Sequence, residues 1–205
     1  MQRGNDLLRK PGWTESLPLP VIGGRSPVSR IEPLLTHVTR KVATGNSDLF
    51  VTRCWSAGDW AHIERQEFGP KATLAGFASS RFDNLNLAPE ICDPLVKLAY
   101  AKERLTGGEE LELSFALLVL MHETSHIWDG GFSAATDSGE RSAECWGMQQ
   151  IRPAARALGA SKDYAAELAD RFWTEIYPHD QERYRSPECR DGGKLDARPT
   201  SHVWP

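Results

Sequence analysis

The stretch Met121-His-Glu-Thr-Ser-His-Ile-Trp-Asp-Gly-Gly131 is the most informative part of the sequence. Within it, His122 and His126 form the pattern His-Glu-x-x-His. On a helix, residues four apart lie on one face, with Cβ atoms about 5–6 Å apart, so two imidazoles can bind one zinc ion at about 2.0–2.1 Å. Glu123 can reach a water on that ion without being a ligand. The pattern therefore predicts a metal site with a base beside it; the alternative is a set of ordinary groups on a partly exposed helix.

We predict that this motif lies on a long, buried helix over residues 109–128. The apolar run 115–121 directly precedes the motif, and glutamates in the first turn suit the positive end of the helix dipole. The pair Gly130-Gly131 predicts the end of the helix. A buried helix is where a metal cleft needs its ligands.

A third ligand is expected because catalytic zinc sites usually have three protein ligands and a water. No third histidine follows in a His-x-x-Gly-x-x-His pattern. The next predicted helix, residues 139–158 with Pro153 as a kink or an early end, carries Glu140 and Glu144 on one face. One glutamate can bind the metal while the other accepts a hydrogen bond from an imidazole. Alternatively, both are solvated glutamates at the start of a helix.

The motif, with a glutamate on the following helix, resembles the gluzincin class of zinc metallopeptidases. The stretch Glu140-Arg-Ser-Ala-Glu144-Cys-Trp-Gly147 is similar to the Glu-x-x-Ala-Asp-Cys-x-Gly stretch of a group of bacterial neutral zinc metallopeptidases. The resemblance covers about residues 115–150. It departs from the class at Glu144, which stands in place of Asp, and in the short gap of 13 residues between His126 and Glu140.

The resemblance implies a zincin-like fold and the hydrolysis of peptide bonds. It implies one catalytic Zn²⁺, which lowers the pKa of its water and is held by His122, His126 and Glu140. It assigns Glu144 to the support of a histidine and Glu123 to the role of general base. The choice between Glu140 and Glu144 as the third ligand stays open on the residues themselves.

The class also implies a histidine or tyrosine from further along the chain that stabilises the developing oxyanion. No motif selects among the candidates in this sequence, and each is better explained as a surface or packing residue. The candidates are Tyr177, His179, Tyr184 and His202.

The rest of the chain predicts an α+β fold, with a short N-terminal β-sheet followed by a mainly helical half. Predicted strands cover 48–55, 73–79 and 84–88, and further helices begin near Ser26-Pro27 and cover 94–104 and 161–176. We expect 84–88 to be the sheet edge that pairs with an extended substrate. The predicted organisation is an irregular arm over 1–25, a metallopeptidase domain over 26–178, and a C-terminal tail over 179–205 packed on the domain.

Composition limits the classes of partner. A net charge of −4 and a pI near 5.9 argue against nucleic acid, and no apolar run is long enough for a transmembrane segment. The resemblance to metallopeptidases implies a peptide or protein substrate. The alternatives are a zinc-binding interaction module without activity, a zinc hydrolase of non-peptide amides, and a helical protein with an accidental motif.

The four cysteines favour two disulfides over four buried thiols because they are even in number and widely spaced. Of three possible pairings we predict Cys54–Cys92 and Cys145–Cys189. The first residues lack the apolar stretch of a secretory signal peptide. We expect a secreted or extracytoplasmic protein, with a cytoplasmic one as the alternative.

Overall fold

Three short strands and six α-helices form a mixed α+β fold in the part of the chain that the structure, a computed structural model, describes. That part comprises residues 27–43, 51–79, 84–100, 104–128, 137–185 and 189. The elements are α1 (Pro27–Ala43), β1 (Val51–Cys54), α2 (Ala57–Ile63), β2 (Gly76–Ser79), β3 (Asn84–Leu87), α3 (Pro89–Tyr100), α4 (Gly108–Trp128), α5 (Asp137–Ala157) and α6 (Lys162–Arg171). Short helical turns follow α2 over Glu64–Phe68 and α6 over Phe172–Ile176 and Tyr177–His179.

Helix α4 lies at the centre of the fold, and its predicted extent is confirmed. It packs against α3, α5, α6 and the sheet. Its apolar residues lie on several sides of the helix, as expected for one enclosed by neighbours. The largest fully buried side chains of its middle section are Leu113, Leu117, Leu120 and Met121. The His-Glu-x-x-His motif therefore begins where the core ends.

Helix α5 approaches α4 closely because a glycine lies at the contact. A Cβ atom on Gly147 would lie 3.1 Å from the backbone nitrogen of His122 and 3.3 Å from its Cα. The missing side chain brings the backbone of α5 against the motif. Pro153 lies inside α5 and does not end it early. One lost backbone hydrogen bond is outweighed by the buried packing of Ile151 and Ala154 on either side.

The strand order β1–β3–β2 corrects the predicted substrate edge. Strand β3 pairs parallel with β1 and antiparallel with β2, so residues 84–88 occupy the centre of the sheet and not its edge. The alternation of leucine and asparagine suggested a half-exposed strand, yet every residue of β3 is buried. Asn86 Oδ1 accepts a hydrogen bond from Trp55 Nε1 at 3.0 Å, and its Nδ2 donates to Asn84 Oδ1 at 2.7 Å. These partners satisfy the buried amides.

Helix α1 closes the β1 edge of the sheet. The Cys54 N–H donates to Glu32 Oε1 at 2.8 Å, and the Thr52 N–H donates to Thr36 Oγ1 at 3.0 Å. Side chains of α1 thus occupy backbone donors that an incoming strand would use. The opposite edge, β2, lies against α4.

Two helical boundaries differ from the sequence prediction, and one helix was missed. Helix α3 begins at Pro89 instead of 94, with Pro94 inside it. Helix α6 begins directly after Ser161, as expected, but it ends at Arg171, and a π-helical turn over Phe172–Ile176 follows. Helix α2 was not predicted, although the Ser56 side chain accepts a hydrogen bond from the Asp59 N–H at 3.3 Å.

Both predicted disulfides are confirmed. Cys54–Cys92 joins β1 to α3, with Cα atoms 6.0 Å apart. Cys145–Cys189 joins α5 to the C-terminal segment, with Cα atoms 5.5 Å apart. The predicted arm over 1–25 lies outside the described residues, as do 186–188 and 190–205 of the predicted tail. Among the described helices, none is long and apolar enough to cross a membrane.

Candidate metal centre

Helices α4 and α5 bring together one donor atom each from His122, His126 and Glu140. The Nε2 atoms of the two histidines are 3.1 Å apart. Glu140 Oε2 lies 3.1 Å from the Nε2 of His122 and 3.8 Å from that of His126. Donor atoms bound to a single tetrahedral ion at about 2.0–2.2 Å lie about 3.3–3.6 Å apart. The three residues can therefore hold a metal ion after small side-chain adjustments.

Glu144 lies on the opposite side of the His122 ring from this cluster. Its Oε2 is 2.8 Å from His122 Nδ1, whereas Glu140 contacts Nε2. A carboxylate on Nδ1 fixes the tautomer and the orientation of the ring, leaving Nε2 to face an ion. The two glutamates of α5 thus occupy different positions around one imidazole. Glu144 also faces the carboxyl group of Asp180.

The electrostatics of the cluster place a proton on His122 when no ion is bound. Burial lowers the pKa of His122, but contacts with Glu140 and Glu144 outweigh burial and raise it to about 10. Burial and the charge on His122 lower the pKa of His126 to about 4. Burial acts to raise the pKa of Glu140, yet its contact with His122 dominates and lowers it. An incoming ion must therefore displace the His122 proton.

Glu123 lies between the cluster and strand β2. Its carboxylate accepts a hydrogen bond from the backbone N–H of Ala78. A Cβ atom on Gly76 would lie 3.2 Å from Glu123 Cγ, so a glycine is needed for this approach. Burial raises the pKa of Glu123 to about 7, with the charge on His122 opposing the shift and that on Glu140 adding to it. A carboxylate with a pKa near 7 can accept and return a proton at neutral pH.

The register of β2 shows which of its backbone groups face the site. The Ala88 N–H donates to the Ala75 oxygen at 2.9 Å, which makes these two residues a hydrogen-bonded pair. Because such pairs alternate along an antiparallel ladder, Phe77 also bonds to β3, whereas the backbone groups of Gly76 and Ala78 point away from it. The outer edge of β2 is thus the sheet edge beside Glu123.

Of the four candidate oxyanion residues, Tyr184 lies next to the cluster. Its ring centroid is 5.7 Å from that of His122, in edge-to-face contact. Burial, with Glu140 nearby, raises the pKa of Tyr184 to about 12, so the hydroxyl keeps its proton. Tyr177 is buried and stacks on Trp173 with ring centroids 5.1 Å apart, and His179 is exposed. His202 lies outside the described residues.

His37 and His62 are exposed, and Trp146 packs against the core. Cys145 is buried in its disulfide and is not a metal ligand. The side chain of Trp128 lies outside the described residues.

Four residues of the site were missed by sequence reasoning. Gly147 ends the stretch 140–147 quoted above, but nothing in that stretch shows that the glycine touches His122; no motif surrounds the other three. Their roles come from contacts between segments distant in sequence. Gly76 and Gly147 act by leaving space, and Asp180 and Arg183 by their charge.

Comparison of the chain with protein-family models, with curated proteins and with solved structures finds no significant match.

Proposed function

We propose that this protein is a zinc-dependent metallopeptidase with a zincin-like fold. The observation that carries the proposal is the convergence of His122 Nε2, His126 Nε2 and Glu140 Oε2 next to the partly buried Glu123. Two imidazoles and one carboxylate are a common donor set of catalytic zinc sites, in which the fourth position stays open. Nitrogen donors favour zinc over magnesium or calcium.

The ligands in this proposal are His122, His126 and Glu140. Glu144 orients His122 through Nδ1, so the Nε2 lone pair faces the ion. When bound, zinc supplies a Lewis acid that activates water and polarises a carbonyl group. The close approach of α5 at Gly147 keeps the glutamates within reach of α4.

Glu123 acts as the general base. Its carboxylate takes a proton from the attacking water and then gives that proton to the nitrogen of the leaving amine. A pKa raised to about 7 by burial suits both transfers near neutral pH. A purely structural metal site would have no use for a partly buried carboxylate here, and this favours an enzyme over a non-catalytic zinc module.

Tyr184 acts as the hydrogen-bond donor to the developing oxyanion. It approaches from the C-terminal segment, on a different element from the metal ligands, and its hydroxyl remains protonated. A fixed donor in a site that excludes water stabilises charge more strongly than water does.

The β2 edge favours a peptide over a non-peptide amide as substrate. The outward backbone groups of Gly76 and the outward carbonyl of Ala78 lie beside the proposed base, which accepts from the Ala78 N–H. An extended peptide can pair with such an edge and bring its amide bond to the site. Two disulfides favour an oxidising compartment for the protein, in agreement with a secreted or extracytoplasmic location.

The test uses Glu123→Gln beside wild type. We expect both proteins to hold about one zinc per chain. We expect the variant to cleave a mixed peptide library about 10²–10⁴-fold more slowly than wild type. Exposed Glu112→Gln serves as the matched control. Zinc in both proteins without peptide cleavage in either would refute the peptidase proposal, as would full activity in Glu123→Gln.

A further inference from the structure

Arg183 lies at the rim of the proposed site without an acidic partner among the described residues. No carboxylate oxygen of that part of the chain comes within 4.0 Å of its guanidinium nitrogens. Its guanidinium carbon lies 4.5 Å from the centroid of the Tyr184 ring, and its Nη2 donates a hydrogen bond to the Tyr184 hydroxyl oxygen. Because Tyr184 in turn contacts His122, these contacts separate the guanidinium from His122 by one aromatic ring.

The surroundings of Arg183 are otherwise acidic. Its positive charge helps to lower the pKa of Glu140. The charges of Glu123, Glu140 and Glu144 help to raise the pKa of the neighbouring Tyr184, so these carboxyl groups lie close to this segment. Acidic groups around the site repel an anionic substrate, so a cation at the rim is where a negative group of the substrate is accommodated.

We propose that Arg183 binds a carboxylate of the substrate, so that the enzyme prefers peptides carrying a carboxylate close to the bond that is cleaved. This inference rests on the proposed function. The guanidinium offers a planar fork of N–H donors that matches a carboxylate. The Tyr184 ring supports the guanidinium through a cation–π contact, and the Arg183 side chain is exposed to solvent.

The carboxylate could come from two sources, a free C-terminus or an Asp or Glu side chain. Both present the same group to Arg183, and their positions along the peptide differ. A C-terminal carboxylate would direct cleavage to the last bonds of the chain. An acidic side chain would direct cleavage next to that residue wherever it occurs.

The test compares wild type with Arg183→Gln on one randomised peptide library made in two forms, with C-terminal acids and with C-terminal amides. Mass spectrometry of the products gives the cleavage sites, and selected peptides give kcat/KM. Lys97→Gln is the charge-matched control because it also removes one positive charge, but far from the site. Lys97 pairs with Glu109 at 2.9 Å. Glu109 precedes His122 by thirteen residues on α4, about 20 Å along the helix axis.

We expect wild type to prefer the carboxylate form of a peptide over its matched amide by about tenfold. The preference should fall to near unity in Arg183→Gln and stay at the wild-type value in Lys97→Gln. A preference for C-terminal acids identifies the first source, and one for Glu over Gln within amidated peptides identifies the second. An unchanged preference in Arg183→Gln refutes the inference, as does an equal loss on both forms, which would indicate a role in turnover or folding.

A binding measurement separates this inference from the proposed function. Zinc-loaded Glu123→Gln, with and without Arg183→Gln, is titrated with fluorescently labelled acid and amide forms of a peptide. Stronger binding of the acid form that depends on Arg183 supports the inference even where turnover is absent. Active wild type without any preference for a carboxylate leaves the peptidase intact and refutes the inference alone.

Discussion

Replacing each glutamate of α5 by glutamine should separate the metal ligand from its supporting residue. In Glu140→Gln the ion loses one of three protein ligands. The free energy of zinc binding to sites with four protein ligands is about 10–16 kcal/mol. The share of one ligand is therefore about 3–4 kcal/mol, which corresponds to about 10²–10³-fold in zinc affinity. In Glu144→Gln the amide oxygen can still accept from His122 Nδ1 across the 2.8 Å contact, and only the charge is lost. Loss of a residue that supports a metal ligand in this way lowers zinc affinity by about 10–100-fold.

The assay is a competition titration of zinc between the metal-free protein and a chromophoric chelator near neutral pH. Glu112→Gln, an exposed residue of α4, controls for the general effect of removing one negative charge. We expect affinity to fall in the order wild type and Glu112→Gln, then Glu144→Gln, then Glu140→Gln. A larger loss in Glu144→Gln than in Glu140→Gln would refute the reasoning, because it would make Glu144 the ligand.

Three further predictions follow from packing, protonation and the C-terminal segment. Gly147→Ala should lower the free energy of unfolding in urea by up to about 2 kcal/mol, because crowding against His122 outweighs the gain in helix propensity. Gly58→Ala, where the new Cβ meets open space, should raise the free energy of unfolding by up to about 1 kcal/mol. An equal rise in both variants would contradict the close approach of α5 to His122. Zinc affinity should rise about tenfold per pH unit from pH 7 to 9. The pKa of His122 is raised to about 10, so His122 holds a proton in this range and zinc must displace that proton. A zinc affinity that does not change with pH in chelator titrations would show that no such proton is present. Tyr184→Phe should keep its zinc but lose about 10²–10³-fold in kcat on peptides, and unchanged kcat would remove Tyr184 from the mechanism.

The central helix and the candidate ligands could be predicted from sequence because their signals are local. An apolar run, a cluster of acidic residues at the helix start and an i, i+4 pair of histidines lie within α4 itself. The same holds for Glu140 and Glu144, whose spacing on α5 places them on one face. Their separate positions around His122 depend on the approach of the two helices, which the spacing does not contain.

The order of the strands could not be predicted because it depends on contacts distant in sequence. Asn84 and Asn86 have the pattern of an exposed face, yet Trp55, 31 residues from Asn86, satisfies the Asn86 amide inside the fold. Likewise, α1 closes the β1 edge through Glu32 and Thr36. Helix α2 differs from these cases, because the Ser56-x-x-Asp59 cap is a local signal from which the start of this helix could have been predicted.

The most direct test of the account is the zinc content of the purified protein, measured by elemental analysis beside His126→Ala. His126 contributes its Nε2 to the cluster. Thermal unfolding of both proteins in the presence of chelator checks that the variant is folded. The account predicts about one zinc per chain in wild type and none in the folded variant. Wild-type protein that holds no zinc, and takes up none when zinc is supplied, would contradict the account.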